Sequence, residues 1–144
     1  MEWTSTRTRR AAGAVLVALA VTTTACGGGG GDGGTPTTRP SSPATVAIQS
    51  PTNGEQFPAG TVIPVKVDLT GGRIVKQSTK DITPTTGHLH LSVDNAIVSM
   101  NYSTTNSLKG VKPGMHVMKV EYVAADHLPF EPRVIAAVTF EVTK

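Results

Sequence analysis

The chain has 144 residues, a formal net charge of +3, one cysteine and one tryptophan. Removing residues 1–25 takes away three arginines and one glutamate and leaves 119 residues at +1, so the basic balance belongs to the first segment and gives no nucleic-acid footprint in the rest. A single cysteine excludes an intrachain disulfide, so whatever folds must be stable without one.

At the start, Arg7, Arg9 and Arg10 precede an uncharged apolar run over 11–21, followed by Thr23, Thr24, Ala25 and Cys26. A basic stretch, a short apolar core and small residues are the three parts of a secretory signal peptide. The run of 11 residues is too short to cross the hydrocarbon core of a bilayer, about 30 Å, as a helix. It reads as a signal rather than a permanent span. The box Thr23-Thr24-Ala25-Cys26 resembles the processing site of bacterial lipoproteins, with Thr23 where that family has an aliphatic residue. The resemblance implies that residues 1–25 are removed and that Cys26 carries a diacylglyceryl group and an amide-linked acyl chain such as palmitate. It also implies a membrane partner through this anchor, on the extracytoplasmic face. Two acyl chains give stable attachment where one is marginal.

Residues 26–43 are almost all Gly, Thr, Ser and Pro after the cysteine, with Asp32 and Arg39 the only charges. Such a segment buries too little apolar surface to offset its ordering entropy and is expected to be a disordered tether. As a flexible chain it spans about 20–25 Å. Residues 44–144 then form one small domain with one core.

No stretch of this domain has sustained helical periodicity; β-branched runs alternate with turn clusters instead. Residues 45–49 read as a strand ended by Ser50-Pro51-Thr52-Asn53-Gly54. A second strand over 62–69 puts Val65, Val67 and Leu69 on one face, and Pro64 places its beginning at an edge. Residues 87–93 form a third, turning at Asp94-Asn95 into a short strand over 96–100. Strands over 104–108, 115–124 and 134–142 follow, with Ile74-Val75 a candidate edge strand inside the long connection 70–86. About seven short strands in such a length predict an all-β, immunoglobulin/fibronectin-like antiparallel sandwich.

The histidines carry the chemistry. His88 and His90 lie in Gly87-His88-Leu89-His90-Leu91-Ser92-Val93-Asp94, His116 in Pro113-Gly114-Met115-His116, and His127 in Asp126-His127-Leu128-Pro129. With Ser50-Pro51-Thr52-Asn53-Gly54, these phrases resemble, in the same order, a family of exported bacterial domains of unknown function. The resemblance covers nearly the whole domain and implies an exported sandwich, often lipid-anchored, with no established activity.

Strand alternation sends Leu89, Leu91 and Val93 to the core and His88 and His90 to the opposite face, about 6.5–7 Å apart along the strand. In a sandwich of this type the Gly87 strand pairs antiparallel with the Met115 strand. The loop 125–133 then lies beside His88. His88, His90 and His127, completed by Asp126 or Glu121, form a candidate surface site for Zn²⁺ or Cu²⁺, ions that neutral imidazole suits. The alternative is structural: His88 and His90 fasten the connection 70–86 to the sheet by hydrogen bonds. His116 falls at the far end of the domain. Its His116-Val117-Met118 phrase is similar to that of exported copper(I) carriers, but alternation turns Met118 to the core and leaves His116 to bond the turn backbone.

Catalysis finds little support. No serine sits in a strained nucleophile turn such as GxSxG, and no aromatic platform accompanies the carboxylates Asp94, Glu121, Asp126 and Glu131. The chain reads as a non-catalytic binding or structural module of the cell envelope with an envelope protein as partner, or as a metal-binding lipoprotein.

Overall fold

A computed structural model of the chain describes residues 38–144. The expected signal peptide, the expected lipidation at Cys26 and the first part of the expected tether lie outside these residues. The described part contains β1 (Thr45–Ser50), β2 (Glu55–Pro58), β3 (Ile63–Thr70), β4 (Arg73–Ile74), β5 (Thr86–Val93), β6 (Ala96–Asn101), β7 (Thr105–Leu108), β8 (Gly114–Ala124) and β9 (Pro129–Thr143). They form a three-stranded sheet, β1-β3-β7, and a six-stranded sheet, β2-β9-β8-β5-β4, with β6 also paired to β5. Two sheets with this Greek-key strand order are an immunoglobulin/fibronectin-like β-sandwich.

The core is the set of inward positions that period-2 alternation selects. Ile63, Val65 and Val67 of β3 and Leu108 of β7 come from the small sheet. They meet Leu89 and Leu91 of β5, Met118, Val120 and Tyr122 of β8, and Phe140 and Val142 of β9. Tyr122 is fully buried, and its hydroxyl lies 3.0 and 2.9 Å from the carbonyls of Arg73 and Thr85 while accepting the amide of Arg73. A buried phenol thus keeps its polar end satisfied and ties β4 to the large sheet.

Most strands stand where alternation puts them. Pro64 lies beyond the last β1–β3 pair, Ser50–Lys66, where β3 has only β7 beside it; the local edge that proline requires is there. The hairpin between β5 and β6 turns on Asp94 and Asn95, both in the left-handed region at φ 50° and 67°. That is the turn whose twist matches two antiparallel strands.

Three differences have physical reasons. Strand β2, the four residues Glu-Gln-Phe-Pro, is too short to show an alternation in the sequence; it is held by parallel pairing of Glu55–Pro58 with the end of β9. Strand β9 starts at Pro129 rather than 134, because Phe130 is buried in the core and draws the two prolines of this stretch into the strand. Residues 38–43, expected to be tether, run along the body. Pro40 O accepts the Glu131 amide at 3.1 Å, Ser42 Oγ donates to Pro84 O at 2.6 Å, and Ala44 enters the core.

Candidate metal centre

The antiparallel register of β5 and β8 pairs His88 with Val123 and His90 with Glu121. Leu89 and Leu91 face the core, so both histidines occupy the outer face of the large sheet. His88 is nevertheless fully buried, because the turn after β8 folds over it. That turn is closed by Ala124 N donating to Leu128 O and His127 N donating to Ala124 O, both at 3.0 Å. It puts His127 in the left-handed region at φ 66°, which aims the imidazole back at the sheet.

His88 Nε2 and His127 Nδ1 face one another at 2.8 Å, and the His90 ring lies 5.4 and 5.7 Å from those of His88 and His127. One nitrogen from each of the three lies within 4.8 Å of the others. His127 Nε2 lies 2.7 Å from Ser78 Oγ, and Thr79 N donates to Ala125 O at 3.1 Å, so the connection before β5 is fastened over the site. His127, rather than His88 or His90, does this fastening.

Two buried nitrogens, His88 Nδ1 and His90 Nε2, have no hydrogen-bond partner. An unpaired buried polar atom costs about 1–3 kcal/mol, and two in one cluster require an explanation. Burial, followed by repulsion from His127 and His90, pushes the His88 pKa down to about 4, with Asp126 opposing; His90 is lowered by burial and then by His127. At neutral pH these imidazoles are therefore uncharged, the form in which they ligate metals.

The two expected carboxylate ligands are placed differently. Asp126 is held by Arg39, whose Nη1 and Nη2 donate to its two oxygens at 2.6 and 3.0 Å; Arg39 also donates to Leu128 O and Pro129 O. This guanidinium holds the Asp126 carboxyl below its ordinary range. Glu121 is held on the other side by Arg133, with Nε donating at 2.6 Å. The structure brings three histidines together and assigns both carboxylates to arginines. Arg39 had only its isolation in a neutral segment to mark it, and Ser78 had no signal at all.

His116 is separate, as expected. Its Nδ1 bonds Asp94 at 2.7 Å, its Nε2 donates to Lys112 O at 2.8 Å, and Asp94 raises its pKa.

The buried neutral His88 makes stability pH-dependent. Its folded pKa lies below the unfolded value of 6.5, so the unfolded chain binds the extra proton as pH falls from 6.5 toward 4. Metal-free protein should lose on the order of 3 kcal/mol across that window from His88 alone. His90 adds in the same direction, while His116, with its raised pKa, opposes more weakly. Urea midpoints at pH 7.5 and 4.5 measure this, and His88→Phe should remove most of the difference.

No protein-family model matches the sequence, and no curated protein aligns with it. Among solved structures the chain is similar to the fibronectin(III)-like modules of Clostridium thermocellum CbhA, at 17% identity and TM-score 0.46, covering 69% of this chain and 96% of that one. It is also similar to an engineered protein, at 12% identity and TM-score 0.47, covering 70% of this chain but spanning only 20% of that one. At such values the fold assignment rests on the strand order itself.

Proposed function

We propose that the chain is an exported, lipid-anchored envelope protein whose β-sandwich is a non-catalytic module that binds a transition-metal ion, copper or zinc, through His88, His90 and His127. The observation that carries the reading is the convergence of three imidazoles, in which the buried Nε2 of His90 lacks a partner. Two nitrogens on one tetrahedral ion stand about 3.3 Å apart. The 2.8 Å between His88 and His127 needs to open by only half an ångström or so. Ser78 then takes the N–H of His127, the outer-sphere bond that orients a ligating histidine.

Ser78, His127 and His88 also have the connectivity of nucleophile, base and orienter. Against catalysis, the amide that follows Ser78 is spent on Ala125 O and is not available to hold an oxyanion. A second reading, docking of an envelope protein, is favoured by Ile97 and Val98, exposed on β6 at the sheet edge.

Competition titration of the metal-free mature chain should find one ion per chain with Kd below about 10 µM; no binding tighter than this for copper or zinc overturns the metal reading. Intact-mass analysis of protein from its native host should show a chain beginning at Cys26 with acyl groups attached. A chain that still begins at Met1 and carries nothing on its thiol overturns the anchor.

A further inference from the structure

The metal reading leaves open which ion the site selects, and the surroundings of the histidines bear on that choice. The antiparallel register of β5 and β6 sets Met100 directly opposite His90. Directly opposed residues share a face, with Cβ atoms about 4.5–5.5 Å apart. The irregularity in this ladder falls beyond, between Leu91 and Ser92, so the His90–Met100 pair is regular. Tyr102, just beyond the end of β6, has its ring 5.6 Å from that of His88. The outer face therefore carries a thioether beside the three imidazoles, and Met100 is more than half exposed, free to change rotamer.

Charge points the same way. The two nearby carboxylates are each paired with an arginine, so neither is free to serve as an anionic ligand. A dication beside a fully buried histidine, with no anionic ligand, carries a desolvation cost that grows steeply with charge. A monocation carries far less. Imidazole suits both ions, whereas a thioether is the soft, neutral ligand that favours copper(I).

We propose that the site is selective for Cu(I), and that Met100 supplies the thioether that distinguishes copper from zinc. This inference rests on the metal reading of the histidine cluster. The experiment uses the mature chain and its Met100→Leu variant, which keeps volume on an exposed strand. Cu(I) is titrated without oxygen against a chromophoric chelator, and Zn²⁺ is titrated separately. Met100→Leu should weaken Cu(I) at least about tenfold, leave Zn²⁺ and the melting temperature unchanged, and remove a sulfur scatterer from the copper X-ray absorption spectrum. Unchanged Cu(I) affinity, an equal loss for both ions, or a parent spectrum without sulfur overturns the proposal. A parent that binds Zn²⁺ but not Cu(I) overturns the copper assignment and leaves the metal site standing, whereas a parent that binds neither removes both.

Discussion

Replacing His90 by leucine should leave the metal-free domain as stable as its parent or slightly more so, while weakening metal binding by about 100-fold or more. The two halves of this expectation separate a ligand from a structural residue. His90 Nε2 is buried without a hydrogen-bond partner, so removing it loses no bond and relieves an unsatisfied group. Leucine fills a similar space on the outer face of the sheet, opposite the core positions Leu89 and Leu91. His127→Ala should behave differently. It loses the contacts to His88 and Ser78, and so about 1–2 kcal/mol of stability together with the metal. Thermal melts in chelator and competition titrations read both quantities on the same samples. If His90→Leu destabilises the metal-free protein strongly and the metal still binds, the cluster is a structural network and the metal centre is withdrawn.

The part of this site that alternation governs was legible in the sequence. Leu89, Leu91 and Val93 identify the core face of β5, which is enough to put His88 and His90 together on the other. The strand order of a sandwich brings the turn after β8 to the same place. The parts set by partners far along the chain were not legible. Asp126 and Glu121 are acidic residues at suitable positions, and nothing near them reveals that Arg39, 87 residues away from Asp126, and Arg133, 12 residues away from Glu121, hold them. Arg39 lies in a stretch whose composition reads as tether, yet one guanidinium satisfying four acceptors is enough to dock it. Strand β2 escaped for a related reason. Its pairing is parallel, with a strand more than 80 residues on, and its four residues are too few to show a period.

Gly87→Ala should be the most damaging single methyl group in the domain, costing at least about 3 kcal/mol or preventing folding outright. Gly87 opens the Gly-His-x-His phrase and pairs with Ala124 of β8. A Cβ at this position would stand 1.9 Å from Val123 O and 2.9 Å from Val123 C, both backbone atoms that no rotamer change can move. Relief requires β5 and β8, the central pair of the large sheet, to separate where Val123, Ala124 and Ala125 are all buried. Gly54→Ala is the control. Gly54 sits at φ 79° with open space around its missing Cβ, so alanine there meets only the left-handed penalty of about 1–2 kcal/mol. Chemical denaturation of the two variants should thus rank them by close approach of backbone rather than by φ. The same approach sets the functional geometry, because the turn that carries His127 begins at the Ala124 amide, one residue beyond the carbonyl against which Gly87 packs. A Gly87→Ala protein within about 1 kcal/mol of its parent would mean that β5 and β8 are not packed this closely, and that His127 does not reach His88 as described.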